Sequence, residues 1–203
     1  MLKKLVGCTL AGVFFFTVGQ SIAAESIFSS ESEKAAARVV ALSKINIGDV
    51  IAYPAKNLKV PKAVVTIFTD MDCTYCRKLH HEIPKVTELG IEVRYVAYPR
   101  HGKGSDTYNK MVTVWCSVNP NERKKMMEQA MEGEALAPKT CEHRVDDHRL
   151  LGRQLGLSGT PTLVFADGTV WSGYVPAERL AREAIKHGSR ASGGDSKNAY
   201  STR

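Results

Sequence analysis

The sequence predicts an α/β fold in which helices cover both faces of a mixed β-sheet. Residues 63–69 are almost all apolar, residues 91–97 alternate as a strand does, and a helical segment separates the two. Strands joined by a helix pair in parallel through a right-handed crossover, so these two form the centre of the sheet. Apolar runs at 162–165 and 169–172 flank Asp167-Gly168, which is typical of a tight hairpin turn. The hairpin adds an antiparallel pair.

Two helices are predicted in the first half of the chain. Residues 30–44 contain many good helix formers, and Ser30 or Ser32 is available as the N-cap. A longer helix is predicted over 73–89, with Gly90 in the position that commonly follows a helix. This second helix begins at the carboxyl end of the first buried strand.

The second half of the chain contains a block of helices between the central strands and the hairpin. Pro176 begins a final helix that we expect to end near His187, where Gly188 stops it. The other predicted elements are a short strand at 49–53 and helices at about 106–118, 121–131 and 145–155. In this order the elements form the thioredoxin-like fold with an inserted helical subdomain at about 106–155.

The first 24 residues have the organisation of an export signal. Lys3 and Lys4 are followed by an apolar run at 5–18, and small residues at Ala23 and Ala24 suit cleavage by a signal peptidase. The run is short for a membrane span, although an uncleaved anchor is the alternative. We therefore expect a signal peptide at 1–24 and a globular part that lies outside the cytoplasm, where disulfides persist.

The remaining chain divides into three predicted parts. A linker helix occupies 25–48, a catalytic domain occupies 49–187, and the Ser- and Gly-rich segment 188–203 is expected to be disordered. The formal net charge is +7. Because the basic residues are scattered and form no clustered patch, we expect no nucleic-acid partner.

Cys73 and Cys76 form a CxxC motif where the first buried strand gives way to a helix. The first sulfur is thereby placed at a helix N-terminus, where unpaired N–H groups and the helix dipole favour an anion. We expect Cys73 to be a thiolate at neutral pH, because thiols at such sites have a lowered pKa. Cys76, one turn along, should be more shielded and should attack Cys73 to release a mixed disulfide.

Three other uses of a CxxC motif fit this sequence less well. Haem attachment requires His directly after the second cysteine, where Arg77 stands. A zinc site made of Cys73, Cys76 and either His80 or His81 lacks a second ligand pair at zinc-finger spacing. A purely structural disulfide would close a very short loop and constrain little chain entropy. We therefore expect a redox pair, without a metal and without a cofactor.

Pro161 lies directly before the apolar run 162–165, although proline cannot occupy a central strand. The sequence Gly159-Thr160-Pro161 fits a turn that contains a cis peptide bond. In a thioredoxin-like sheet this turn lies beside the CxxC, and it leaves the Thr160 backbone available to pair with an extended substrate segment. An ordinary trans-proline at the start of a strand is the alternative.

Cys116 and Cys141 are the two remaining cysteines outside the signal segment, and both lie in the helical block. Because Cys73 and Cys76 form their own motif, Cys116 and Cys141 are left to pair with each other. We interpret them as a structural disulfide that constrains the insert. The alternative is a second redox pair, although neither residue belongs to a CxxC.

Several motifs in sequence order resemble the catalytic domain of the bacterial periplasmic DsbC and DsbG thiol:disulfide interchange proteins. They are FTDMDCTYCRKLH at 68–80, GIEVRYVAYPRHG at 90–102, WC at 115–116 and LGLSGTPTLVFADGTVWSGYVP at 155–176. The resemblance covers about residues 49–187 and is closer to DsbC, whose CGYC corresponds to CTYC here. It implies Cys73 as the nucleophile, Cys76 as the resolving thiol and a structural Cys116–Cys141 bridge. It also implies Thr160 and cis-Pro161 as the loop that faces the substrate.

The resemblance further implies a disulfide isomerase or reductase that acts on unfolded or misoxidised exported proteins. A DsbD-like membrane reductase would keep Cys73 reduced. Residues 25–48 are too few for the family's N-terminal dimerisation domain, so we expect a monomer. Proteins of this shorter plan are associated with conjugative plasmids, which suggests transfer proteins as clients. The alternatives are a DsbA-like oxidase recharged by a DsbB-like partner, and a non-redox periplasmic chaperone or metal carrier.

Overall fold

A computed structural model of the chain describes residues 30–193, with side chains for residues 30–188. The predicted signal peptide at 1–24 and the final residues 194–203 lie outside this range. The strands are β1 (Ile51–Tyr53), β2 (Ala63–Thr69), β3 (Ile91–Ala97), β4 (Thr162–Phe165) and β5 (Val170–Ser172). The helices are α1 (Glu31–Ser43), α2 (Thr74–His80), α3 (Ile83–Glu88), α4 (Asp106–Trp115), α5 (Pro120–Glu132), α6 (Val145–Gln154) and α7 (Ala177–Gly193).

The five strands form one mixed sheet in the order β1-β3-β2-β4-β5. The central pair, β2 and β3, is parallel, and Val65 lies opposite Val93. The pairs β1·β3, β2·β4 and β4·β5 are antiparallel. Helices α4, α5 and α6 are inserted between β3 and β4. The predicted α/β thioredoxin-like fold with a helical insert is therefore confirmed.

Two apolar cores lie on opposite faces of the sheet, because alternate residues of a strand point to opposite sides. In β2, Val65 and Ile67 belong to the larger core, whereas Phe68 belongs to the smaller one. The larger core includes buried side chains of α2, α3, α4, α5 and α7. The smaller core is completed by Leu42 of α1 and by Leu157, directly after α6. Of the helices in the described part of the chain, none is long and apolar enough to cross a membrane.

The single helix predicted over 73–89 is wrong, since the structure divides it into α2 and α3. Pro84 explains the division. Proline has no N–H to donate, and inside a continuous helix its ring would clash with the carbonyl group of His80, four residues earlier. The helix therefore ends at His80, and Pro84 lies in the first turn of a new helix.

The predicted end of the last helix at His187 is also wrong, because α7 continues to Gly193. It therefore includes the first residues of the segment 188–203 that the sequence predicts to be disordered. A glycine inside a helix costs only about 1 kcal/mol, which tertiary packing can offset. Here His187 is buried and its Nδ1 lies 2.7 Å from Asp167 Oδ2, which fixes the helix where Gly188 would otherwise end it.

Helix α1 packs closely on the β4–β5 turn. Its N-terminus is a capping box, in which Ser30 and Glu33 each accept a hydrogen bond from the other's backbone N–H. The buried Arg38 donates to the carbonyl oxygen of Gly168 in the turn. A Cβ added at Gly168 would lie 2.0 Å from the carbonyl oxygen of Ala35, so only glycine permits this approach.

Candidate active site

Cys73 is the N-cap residue of α2, and Cys76 lies in the first turn of that helix. Both thiols are free, and the exposed fractions are 4% for Cys73 and 1% for Cys76. Between them, Tyr75 is 61% exposed. The first sulfur of the motif is therefore nearer to the surface, and the second is shielded beneath it.

The surroundings of Cys73 favour its thiolate. The pKa of Cys73 is lowered to about 5, first by a hydrogen bond from the Cys76 thiol. Burial opposes this effect, whereas the Thr160 hydroxyl and the backbone N–H groups of Cys76 and Tyr75 lower the pKa further. A thiol of this pKa is almost fully ionised at neutral pH. The helix N-terminus contributes as expected, but the second cysteine is the larger cause.

The surroundings of Cys76 favour its protonated form. Burial raises the pKa of Cys76 far above its ordinary value, and the hydrogen bond to Cys73 raises it further. The Thr69 hydroxyl and the backbone N–H of Asp70 act in the opposite direction. The pair therefore carries one proton, which stays on Cys76 and is donated to the Cys73 sulfur.

The turn that precedes β4 lies next to the CxxC motif. The Thr160–Pro161 peptide bond is cis. Cys73 Sγ lies 3.3 Å from the carbonyl oxygen of Thr160, to which it donates when protonated. The structure therefore brings together Cys73, Cys76, Thr160 and Pro161, the four residues that the sequence predicts for this site.

Asp70 is a residue beside the CxxC motif that sequence reasoning missed. It is fully buried, and its carboxylate accepts hydrogen bonds from Thr107 Oγ1 and from the backbone N–H groups of Asp72 and Arg100. Arg100 Nε adds an ion pair at 3.1 Å. Burial alone would raise the pKa of Asp70, but these donors lower it. The carboxylate thus fixes the CxxC loop to two other segments.

The two histidines after the motif have separate environments. His80 is buried, and its Nδ1 lies 3.2 Å from the Tyr95 hydroxyl. Burial lowers the pKa of His80 to about 4, so the ring is neutral at physiological pH. His81 is exposed and lies near Glu132. Within residues 30–193, no three His, Cys, Asp or Glu side chains are grouped so that they could hold a metal ion.

Cys116 and Cys141 form a disulfide, with their Cα atoms 5.5 Å apart. Cys116 is the residue that ends α4, and Cys141 precedes α6. The bridge therefore ties the C-terminal end of α4 to the segment between α5 and α6, and it lies outside the CxxC loop.

A mixed sheet of this topology, with two free thiols at the start of a helix and a cis-proline turn against the first sulfur, defines a thioredoxin-class dithiol protein. The family model described as a thioredoxin-like domain matches residues 51–187. The thiol:disulfide interchange protein DsbC of Escherichia coli K12 is 39% identical over 145 residues, covering 71% of this chain and 59% of that protein. The DsbC of Pasteurella multocida is 33% identical over 181 residues, covering 85% of this chain and 76% of that protein.

Comparison with solved structures also finds a disulfide interchange protein. The crystal structure of a disulfide interchange protein from Neisseria gonorrhoeae superposes with a TM-score of 0.59 at 30% identity, and the match covers 70% of this chain and 99% of that one. The chain therefore belongs to the DsbC family of thiol:disulfide interchange proteins. It spans about three fifths of the length of the E. coli relative.

Proposed function

We propose that this chain catalyses thiol–disulfide exchange on exported proteins, with Cys73 as the nucleophile and Cys76 as the resolving thiol. One observation carries the proposal. The Cys73 sulfur, whose pKa lies near 5, sits beneath the turn at Thr160 and cis-Pro161, at 3.3 Å from the Thr160 carbonyl oxygen. A nucleophile that is ionised at neutral pH thus lies beside backbone that an extended client can pair with.

The reaction proceeds by two exchanges. The Cys73 thiolate attacks one sulfur of a client disulfide, so a Cys73–client bond forms and the other client sulfur leaves as a thiolate. In isomerisation, a second client thiolate attacks this mixed disulfide and restores Cys73 with no net change in oxidation state. In reduction, Cys76 attacks Cys73, the client leaves with two added electrons, and the protein becomes a disulfide.

Thr160 and Pro161 form the client-binding segment in this proposal. Pro161 precedes β4 and has no backbone N–H, and its carbonyl oxygen accepts a hydrogen bond from Gly173 in the hairpin. Tyr75 is exposed between the two cysteines and offers an apolar ring to the client. Backbone pairing provides affinity with little dependence on client sequence, which suits an enzyme that acts on many misoxidised proteins.

Replacing the nucleophile tests the activity. Cys73→Ser should abolish both the reduction of insulin and the reactivation of scrambled ribonuclease. Cys76→Ser is the matched control, because it keeps the nucleophile: it should lose catalytic insulin reduction but retain part of the ribonuclease reactivation. Unchanged activity in Cys73→Ser would refute the assignment.

The direction of the reaction depends on the membrane partner. We propose a DsbD-like reductase that keeps the pair reduced, as an isomerase or reductase requires. The redox state of Cys73 and Cys76 in cells, measured by alkylation and gel shift, tests this. A mainly reduced pair that becomes oxidised when the reductase gene is deleted supports the proposal. A mainly oxidised pair that depends on a DsbB-like oxidase would identify a disulfide donor instead.

We also propose a periplasmic monomer, exported by a signal peptide at 1–24. The apolar run and small residues at Ala23 and Ala24 support export. Fractionation of cells that express the full chain, followed by N-terminal sequencing, should find a periplasmic protein beginning at residue 24 or 25. Sedimentation of that protein should give the mass of one chain. A membrane-bound product, or a dimer at micromolar concentration, would contradict this proposal.

A further inference from the structure

Thr69, the last residue of β2, has a buried hydroxyl that completes no hydrogen bond among residues 30–193 in the reduced site, although it lies near enough to the Cys76 sulfur to favour that sulfur's ionised form. The residue is 0% exposed, so the hydroxyl does not face bulk solvent. A buried polar group without a partner is destabilising, so its presence in a native protein needs an explanation, and a redox or catalytic role is one. A valine would fill the same space at no such cost.

The position of Thr69 directs its side chain toward Cys76. Thr69 alternates with Phe68 along β2 and therefore shares a face with Val65 and Ile67, which belong to the same core as Cys76. The next backbone N–H in the chain, that of Asp70, donates to Cys76 Sγ at 3.5 Å. The hydroxyl and the amide thus approach one buried sulfur from adjacent positions.

Cys76 needs such donors only when it ionises. In the reduced protein Cys76 keeps its proton and donates it in a hydrogen bond to the Cys73 thiolate, and burial together with that hydrogen bond raises the pKa of Cys76. When a client is bound to Cys73, that negative charge is gone, and Cys76 must become a thiolate to resolve the mixed disulfide. Cys76 is only 1% exposed in the reduced protein, so solvent offers little stabilisation for a charge on its sulfur.

We propose that Thr69 is the residue that stabilises the Cys76 thiolate during resolution, through a hydrogen bond from its hydroxyl. The inference rests on the proposed dithiol activity. In the step concerned, the Cys76–Cys73 bond forms and the Cys73–client bond breaks. The electron pair leaves on the client sulfur, which takes up the proton that Cys76 releases. Thr69 retains its own proton and adds to the hydrogen bond that the Asp70 amide already donates.

The hydroxyl would thereby control how long a client stays attached. Fast resolution releases a reduced client, whereas slow resolution leaves time for a client thiolate to attack the mixed disulfide. Thr69 would therefore shift the balance from isomerisation toward reduction, without changing the first attack by Cys73.

Stopped-flow reaction of the full reduced protein with 5,5′-dithiobis(2-nitrobenzoate) separates the two steps. The first thionitrobenzoate is released when Cys73 attacks, and the second when Cys76 resolves the mixed disulfide. Thr69→Val should slow the second phase about tenfold or more, which is the effect of losing one hydrogen bond to a charged group. It should leave the first phase within about twofold. Thr69→Ser keeps the donor and should restore the second phase.

Controls distinguish this role from a structural one. Thr66→Val changes a buried threonine on the opposite face of the same strand and should alter neither phase. Because Thr69→Val removes an unsatisfied group, it should be at least as stable as the parent in urea while its second phase is slower. If the valine variant does not fold, Thr69→Ala takes its place. A second phase unchanged in Thr69→Val, or slowed equally in Thr69→Ser, would overturn the inference. If the parent protein shows no first phase, the proposed function is overturned instead.

Discussion

The strongest prediction concerns the ionisation of Cys73 and its dependence on Cys76. With a pKa near 5, Cys73 is about 99% thiolate at pH 7, whereas an ordinary thiol is about 3% ionised. The reaction with iodoacetamide at pH 7 should therefore be about thirtyfold faster than that of an ordinary thiol of equal nucleophilicity. The hydrogen bond from the Cys76 thiol is the main cause of the lowered pKa. A hydrogen bond to a charged group contributes about 1.5 to 3 kcal/mol, so Cys76→Ala should raise the pKa of Cys73 by about 1 to 2 units.

The assay is the rate of alkylation between pH 4 and 9, together with thiolate absorbance at 240 nm. Since only the thiolate reacts, the rate should rise through pH 5 and be level by pH 7. Cys76→Ser is the matched control, because its hydroxyl can still donate, and its midpoint should stay closer to that of the parent. A midpoint near 8.5 in the parent, or equal midpoints in Cys76→Ala and the parent, would refute the reasoning.

Three further predictions concern stability, each measured by urea unfolding. Asp70→Ala should lower the free energy of unfolding by about 1 to 3 kcal/mol, because it leaves the buried Thr107 hydroxyl and the part-buried donors of Asp72 and Arg100 unpaired, while Asp70→Asn should cost less. Gly168→Ala should lower the free energy of unfolding by more than about 2 kcal/mol, because the new Cβ would lie 2.0 Å from a carbonyl oxygen. It should also expose α1 to proteolysis. The control is Gly156→Ala, which should cost less because Gly156 has a similar positive φ but open space around it. Replacing Cys116 and Cys141 together by alanine should cost about 3.5 kcal/mol, the chain entropy of a loop with a separation of 25, and should leave Cys73 alkylation unchanged.

The central strands and most of the helices could be predicted from sequence because their signals are local. β2 and β3 have the predicted bounds, 63–69 and 91–97. Apolar and alternating runs of that length are typical of β-strands. The division at Pro84 is also local, and attention to proline would have found it. The length of α7 could not be predicted in this way. It depends on the contact between His187 and Asp167, which are 20 positions apart in the sequence.

The same distinction between local signals and long-range contacts applies to the site. The CxxC motif and the Thr160–Pro161 turn are short patterns with few alternative uses, so their residues could be named before the fold was known. Asp70 could not be assigned in this way, because its role depends on bonds to Arg100 and Thr107, which lie 30 and 37 positions away. An acidic residue directly after a buried strand and just before a CxxC is the one local signal that could have identified it.

Trapping the covalent intermediate tests the central claim most directly. In Cys76→Ala the mixed disulfide cannot be resolved, so the variant, expressed in the periplasm and collected after acid quenching, should carry client proteins on Cys73. Mass spectrometry should locate each bond at Cys73, and reductant should release the clients. If the Cys76→Ala variant carries no more adducts than Cys73→Ser/Cys76→Ala, or if the adducts map to another residue, Cys73 is not the nucleophile.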